Sequence, residues 1–363
     1  MNPKLNIIFS AFGHLPSGTG EVKFEALYNK EIKPLIAALD KYPKINMVLY
    51  YSGVIFNWIE RRHPEFFMLL EDLLNRKQAE LLGGGFYNPM LSLLPPADRI
   101  GQIEMLTTYL RKQFGKRLSG CWLPSAAWEQ SLVSSLNSCG MNYTFLDDWL
   151  FPGLENSILE CSNLEPDPFT GELFSPCITE DQGKLITVFP IAFSLARKLK
   201  TDDLFNLLKE LSEKLPQSGD DKTIVIPIEG GQCEELFEKL SNSNLRIKSA
   251  VPSKIFKALN SLKKNYFTYV GKTETTETGT VRMGTIPVTN PRQFLAKHPA
   301  AGGIYAKMIY VHTLINNQLR GDKTRKRTAM EELWKAQDSN LYRLGSENNP
   351  GLFPDPKRYR LES

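Results

Sequence analysis

Short apolar runs alternate with amphipathic helical patterns along most of this chain, and that alternation limits the folds open to it. The helical patterns carry apolar residues at intervals of three and four, whereas the runs between them are continuously apolar. The runs predicted as strands are 5–11, 45–51, 79–86, 120–124, 143–148, 185–191 and 223–229. Strands that are apolar on both faces and separated by helices indicate a parallel sheet with helical crossovers. Seven such units favour a closed barrel over an open sheet.

The pattern changes after about Lys264. The polar stretch 273–280 is predicted to be a hairpin or loop, and two helical patterns follow around 304–317 and 323–337. The tail from 347 is rich in proline and charge and is predicted to be irregular. We therefore expect a barrel over 1–265 and, over 266–363, a loop or hairpin, a helical segment and an irregular tail.

Composition excludes several classes of function. The chain is 42% hydrophobic and 23% charged, which is typical of a globular protein with a real core. A net charge of +4 does not favour a nucleic-acid partner. Five cysteines without a CxxC pair or a histidine at ligand spacing exclude the familiar zinc patterns and predict reduced thiols, as in a cytoplasmic protein. No cofactor is expected. The apolar amino terminus is interpreted as a strand rather than a signal peptide, and no segment is long enough to span a membrane.

Polar and aromatic residues follow the predicted strands directly. In a parallel barrel the carboxyl ends of the strands meet at one mouth, where function gathers. The residues at these ends are His14, Ser52, Phe86, Tyr87, Asn88, Trp122, Ser125, Asp147, Asp148, Trp149 and Glu229. Sugar rings offer apolar faces for stacking and hydroxyl rims for polar groups, so this mixture favours a carbohydrate site.

Each of these residues also has a structural interpretation. His14 can hydrogen-bond within its own loop, Asp148 can cap a helix, and the glycines around Phe86 can permit a tight turn. The aromatic side chains can belong to the core. The carbohydrate interpretation therefore depends on the set as a whole and not on any single residue.

Five sequence motifs occur in an order typical of one enzyme family. They are HLP at 14–16, YSG at 51–53, GGGFYNPML at 83–91, WLPSAAW at 122–128 and LDDWLF at 146–151. With these motifs the chain resembles glycoside hydrolase family 57, the α-amylases and 4-α-glucanotransferases. The resemblance extends through RQFLAKHPAAGGIYAKMIYV at 292–311 and WKAQDSNLYRLG at 334–345. It implies an incomplete (β/α)7 barrel followed by a C-terminal helical segment, an α-glucan or oligosaccharide ligand, and a retaining mechanism without metal.

The resemblance fails where the family carries its catalytic carboxylates. The family's nucleophile, a glutamate, corresponds to Ser125, and a serine without a base to activate it is no substitute. The acid/base aspartate corresponds to Glu229, which keeps a carboxyl one methylene longer. A retaining glycosidase needs both carboxyl groups, roughly 5–5.5 Å apart. Glu129 is the closest carboxylate to Ser125, but we expect it in the first turn of the next helix, directed elsewhere.

Other positions have also lost polar groups. A histidine of the first strand motif becomes Phe12, a glutamate of the third becomes Asn88, and a Trp-His pair becomes Arg343-Leu344. The β-rich C-terminal domain of the glucanotransferases is not expected here. Losses at several independent places indicate a degenerate member of the family, with Glu229 at the acid/base position and Ser125 at the substituted nucleophile position.

The sequence leaves several interpretations open. The favoured one is a catalytically impaired protein that binds carbohydrate through His14, Phe86, Tyr87, Asn88, Trp122, Trp128, Asp148 and Trp149. The second is an active α-glucan hydrolase or transferase that uses relocated carboxylates, Asp148 with Glu229. A metal-dependent deacetylase is the third, although the required aspartate and paired histidines are missing. The last is a barrel that serves as a scaffold for a protein partner.

Overall fold

The computed structural model describes residues 3–124, 127–151, 169, 174–192, 201–259, 265–267, 291–319 and 321–344. One sheet dominates this part of the chain. Its strands are β1 (Leu5–Gly13), β2 (Met47–Tyr51), β3 (Ala79–Leu81), β4 (Gly120–Cys121), β5 (Tyr143–Asp147), β6 (Cys177–Asp181), β7 (Lys184–Ile191), β8 (Lys222–Pro227), β9 (Ile247–Ser249) and β10 (Asn265–Phe267).

Seven of these strands form the barrel. Strands β3, β2, β1, β8 and β7 are parallel neighbours in that order, and β5 and β4 continue from β7. The Gly83 N–H donates to the Gly120 carbonyl at 2.8 Å and brings β4 next to the residues after β3. Between β7 and β8 the register contains the single pair Ile191–Val225. The incomplete (β/α)7 barrel is therefore confirmed, and its predicted strands lie at the predicted places.

Three strands were not predicted. Strand β6 is antiparallel to β7 and joins it through Gln182 and Gly183, whose φ angles of 52° and 73° are typical of a two-residue hairpin turn. Two of its five residues are buried and three are half-buried, so it lacks the continuous apolar run of the barrel strands. Strands β9 and β10 have three residues each, too few for a periodic signal.

Helices cover the outer face of the barrel and make up the C-terminal segment. They are α1 (Glu21–Leu27), α2 (Lys33–Lys41), α3 (Gly53–Arg62), α4 (Glu65–Asn75), α5 (Pro96–Phe114), α6 (Leu132–Ser138), α7 (Thr201–Lys214), α8 (Cys233–Asn242), α9 (Pro252–Leu259), α10 (Pro291–Lys297), α11 (Pro299–Gln318), α12 (Lys323–Lys335) and α13 (Ser339–Leu344). A π-helical turn, Tyr28–Ile32, joins α1 to α2. None of the described helices combines the length and apolar composition that a bilayer crossing requires.

A buried polar network joins the C-terminal helices to the barrel. On α11, His312 Nδ1 lies 2.9 Å from Asp98 Oδ2 of α5, and the amide of Gln337 donates to the same oxygen at 2.6 Å. Gln102 donates to Gln337 Oε1 at 3.2 Å and accepts from the Tyr87 N–H at 3.1 Å. Asp98, Gln102 and Gln337 are fully buried, so leaving any of these side chains unpaired is costly. The network therefore fixes the turn between α12 and α13 at the mouth of the barrel.

Candidate functional site at the carboxyl ends of the strands

His14 lies at the centre of the barrel mouth and is 3% exposed. Its Nδ1 lies 2.8 Å from Ser52 Oγ, and its Nε2 lies 2.9 Å from Asp338 Oδ2. A carboxylate only accepts hydrogen bonds, so Nε2 carries the proton and donates to Asp338. Both ring nitrogens are therefore engaged within the protein.

Local structure holds these three residues in place. His14 follows β1 and Ser52 follows β2, and the Ser52 N–H donates to the Gly13 carbonyl at 3.1 Å. The other Asp338 oxygen, Oδ1, accepts from the Asn340 N–H at 2.9 Å, as an N-cap residue does for the helix that follows. The carboxylate of Asp338 thus caps α13 and binds His14 at the same time.

Asn88 connects the third strand to the same turn. The Tyr50 hydroxyl lies 3.1 Å from Asn88 Oδ1, and the Ser339 N–H donates to the Asn88 carbonyl at 3.3 Å. The φ angle of Asn88 is 51°, a left-handed conformation that asparagine tolerates better than most residues. The structure therefore brings Asn88 and His14 together around residues 338 and 339.

The aromatic residues of the mouth form a stack. The ring of Phe12 lies over Trp122 with 4.4 Å between centroids and 20° between planes, and Tyr50 stacks near Trp122 at 6.1 Å. Trp122 is only 6% exposed, whereas Phe12 is half-buried. Phe12 is thus the member of the stack that presents more of its ring to solvent.

Phe86, Tyr87 and Trp128 are buried. Phe86 contacts Tyr87 with 4.9 Å between ring centroids and packs so tightly over Gly53 that a Cβ there would lie 2.3 Å from its ring. Trp128 Nε1 is buried without a hydrogen-bond partner in the described part of the chain. These three side chains contribute to the core beneath the mouth, and their role in sugar binding stays a prediction.

Glu229 is exposed two residues after the end of β8, and it lies close to a carboxylate that the sequence does not indicate. The Gly230 N–H donates to Glu31 Oε2 at 2.7 Å. Burial raises the pKa of Glu31, the hydrogen bond from Gly230 opposes that rise, and the charge of Glu229 adds to it. Two carboxyl groups therefore lie near each other at this edge of the mouth.

The remaining predicted site residues have varied positions. Asp148 is buried at the end of β5. Ser125 and the side chain of Trp149 lie outside what the structure describes. Glu129 lies before α6 and not in its first turn, which corrects our expectation. Its carboxylate binds Arg292 in a bidentate pair at 2.6 and 3.1 Å, because Arg292 offers two parallel N–H donors.

Sequence reasoning missed Asp338 and Glu31 as parts of the site. Asp338 lies within the motif at 334–345, but its pairing with His14 spans 324 positions, and no local pattern signals it. Glu31 lies in the π-helical turn, and the sequence does not show this turn. Such irregularities are frequent at functional sites, so the turn indicates Glu31 only once the structure is known. Among the described residues, no group of three or more His, Cys, Asp or Glu could hold a metal ion.

The fold places the chain in the class of (β/α)7-barrel proteins, with stacked aromatics, a hydrogen-bonded histidine and carboxylates at the mouth of the barrel. Within that class the chain belongs to glycosyl hydrolase family 57, whose family model matches residues 4–219.

The relatives are enzymes of α-glucan metabolism by name. Over 190 residues the chain is 37% identical to a 4-alpha-glucanotransferase of Thermococcus litoralis, a match that covers 52% of this chain and 27% of that protein. An alpha-amylase of Pyrococcus horikoshii is 36% identical over 191 residues, with coverage of 52% and 28%. The crystal structure of the T. litoralis 4-alpha-glucanotransferase superposes with a TM-score of 0.73 at 24% identity and covers 94% of this chain and 56% of that one. The matches thus span just over a quarter of each curated relative and about half of the solved chain.

Proposed function

We propose that this family 57 protein binds an α-glucan or a related oligosaccharide at the carboxyl ends of its strands and has lost retaining hydrolysis. The observation that carries the proposal is Ser125 at the position of the family's nucleophile. A covalent two-step route needs a carboxylate there, so its absence removes many orders of magnitude of rate.

The neighbourhood of His14 supports the loss of chemistry. A serine nucleophile needs a base to take its proton, and a histidine usually supplies one. His14 is the histidine of the mouth, but its two ring nitrogens already bind Ser52 and Asp338. His14 is therefore a structural residue in this proposal and does not activate Ser125.

The stack of Phe12 on Trp122 supports retained binding. A phenyl ring in place of the family's histidine removes a polar group and adds an apolar face beside the mouth. Sugar rings stack on such faces. Phe12, rather than the buried Trp122, is then the platform on which a glucose unit lies.

Replacing Phe12 with Ala is expected to weaken the binding of maltoheptaose about tenfold, because the stacking face is lost while Trp122 becomes only partly uncovered. Titration calorimetry with the purified full chain measures this change. The matched control is Met68→Ala, which removes a 75% exposed apolar side chain on α4 and leaves the affinity unchanged. Equal affinities for the wild type and Phe12→Ala would refute the assigned platform, and no binding by the wild type would refute glucan binding.

The pairing of Glu229 with Glu31 favours a second candidate function, an active α-glucan hydrolase or transferase with relocated carboxylates. Two nearby carboxyl groups of which one has a raised pKa form the arrangement that general acid–base catalysis uses. The sequence suggested Asp148 with Glu229 for this role, and Glu31 is an additional candidate partner. Cys121, Cys139 and Cys233 are free thiols, which supports a reducing, cytoplasmic location.

A further inference from the structure

A cleft of about 570 Å³ opens at the amino ends of the strands, on the opposite side of the barrel from the site above. It lies where β9 and β2 pair with successive parts of the same edge of β1. Leu5 of β1 pairs with Ile247 of β9, whereas Phe9 of β1 pairs with Met47 of β2. Ser249 Oγ donates to the Asn46 carbonyl at 2.9 Å and accepts from the Asn46 N–H at 2.7 Å. The two strands are thus fixed to each other, and the cleft is open beside this junction.

The described residues that line the cleft include cations and no carboxylates. The cations are Lys44, Arg76, Lys77, Lys248 and Lys254. Arg76 is neutralised by Asp40 at 2.6 Å and Asp72 at 3.1 Å. Lys254 is attracted to Glu80, whose carboxyl accepts from the Ser253 N–H and whose pKa is raised by burial. Lys44, Lys77 and Lys248 have no ion pair within the described part of the chain, so they leave the cleft positively charged.

Lys77 occupies a position at which glycine is favoured. Its φ angle is 58°, and it follows α4 in the geometry of a left-handed helix end, with the Gln78 N–H donating to the Leu73 carbonyl at 3.0 Å. A lysine pays a conformational penalty there that glycine does not. The side chain of Lys77 is exposed and lines the cleft, so its ammonium group adds to the positive charge there.

Two lining residues also hold polar atoms without a hydrogen bond. Gln78 Oε1 and Ser241 Oγ are both buried and lack a partner among the described residues. Buried polar atoms are nearly always paired, by protein, water or ligand. Both atoms have almost no accessible surface, so the exposed lysines, and not these two atoms, are available to a ligand in the cleft.

We propose that this cleft binds a small phosphate-bearing metabolite, a sugar phosphate or a nucleotide, with its phosphate on Lys44, Lys77 and Lys248. The volume falls within the range of small-molecule sites, and compact ammonium groups are established binders of phosphate. The site is separate from the barrel mouth, and this proposal does not depend on the proposed function.

Calorimetric titration of the full chain with glucose 1-phosphate, ADP, inorganic phosphate and neutral glucose tests the proposal. Phosphate-bearing ligands are expected to bind saturably, more weakly as salt rises, and glucose is expected not to bind at this site. If glucose 1-phosphate binds more tightly than ADP, the ligand is a sugar phosphate, and the reverse order assigns a nucleotide. Glucose is tested by whether it displaces inorganic phosphate that is already bound in the cleft. Glucose that binds only at the barrel mouth displaces none.

Two variants separate binding from folding. Lys248→Gln is expected to lower the affinity for phosphate-bearing ligands about tenfold. Lys77→Gly is expected to lower this affinity by a similar factor. Its midpoint of thermal unfolding is expected to equal or exceed that of the wild type, because glycine suits the left-handed position. Lys307→Gln, an exposed lysine on α11, is the control and leaves the affinity unchanged.

The proposal is overturned if no phosphate-bearing ligand binds saturably, or if the three variants bind equally well. It is also overturned if an oligonucleotide binds while the small phosphates do not, since that outcome assigns the lysines to a nucleic-acid surface.

Discussion

Replacing Gly230 with Ala is expected to reduce the free energy of unfolding by about 3 kcal/mol, since overpacking against rigid groups is among the costlier single changes. A Cβ at Gly230 would lie 1.8 Å from the carbonyl oxygen of Glu31 and 2.6 Å from its carbonyl carbon. Those atoms belong to the backbone of the π-helical turn, so no side chain can rotate away. The change also pushes apart the Gly230 N–H and the carboxylate that accepts from it.

Urea denaturation followed by circular dichroism measures this loss. Gly231→Ala is a matched control in the same 3-10 turn, because a Cβ there would lie 3.5 Å from the Lys30 carbonyl oxygen, an ordinary van der Waals contact. We expect Gly231→Ala to unfold close to the wild-type midpoint. Equal midpoints for the two variants would show that the π-helical turn can move away from β8 at little cost.

Replacing Asp338 with Ala is expected to cost about 3 kcal/mol of stability, the upper end of the range for leaving a buried hydrogen-bonding group without its partner. The change leaves His14 Nε2 buried without its acceptor and removes the cap from the Asn340 N–H. Because Asp338 lies at the turn that also meets Asn88, we expect α12 and α13 to loosen from the barrel together.

Thermal unfolding of Asp338→Ala, compared with Asp203→Ala, checks this prediction. Asp203 is exposed in the first turn of α7, so its removal is expected to cost only a few tenths of a kcal/mol. Asp338→Asn is expected to fall between the two, because an amide oxygen still accepts from His14. A wild-type midpoint for Asp338→Ala would mean that the contact between His14 and Asp338 contributes nothing to the docking of the C-terminal helices.

The barrel strands are predictable from the sequence because several of them are apolar along their whole length. In β1 each residue from Leu5 to Ala11 is buried, and β2 and β5 are buried throughout. A continuous apolar run between amphipathic helices is typical of a parallel strand that is covered on both faces. The antiparallel β6 is not predicted because three of its five residues are only partly buried and two of these, Glu180 and Asp181, are charged, so the short strand gives a weak pattern.

The candidate site was predictable only in its location. The structure places His14, Asn88 and Trp122 after their strands, where the sequence pattern predicts them, and their role in binding stays a prediction. What these side chains contact depends on long-range packing, as with Asp338 from a helical turn at the far end of the chain. Likewise, the sequence identifies Phe12 only as the replacement of a family histidine, and the structure shows its ring on Trp122. Residue types indicate which groups could bind or react with a ligand. Contacts between distant segments decide which of those groups are already engaged within the protein.

The most direct test of the central claim is chromatography of maltoheptaose incubated with the purified full chain, with Glu229→Gln and Glu31→Gln treated identically. We expect all three samples to leave maltoheptaose unchanged, because Ser125 cannot form the covalent intermediate of a retaining glycosidase. New shorter or longer oligosaccharides that form with the wild type and disappear with Glu229→Gln would contradict this account. If they disappear with Glu31→Gln as well, the two glutamates are the relocated catalytic pair.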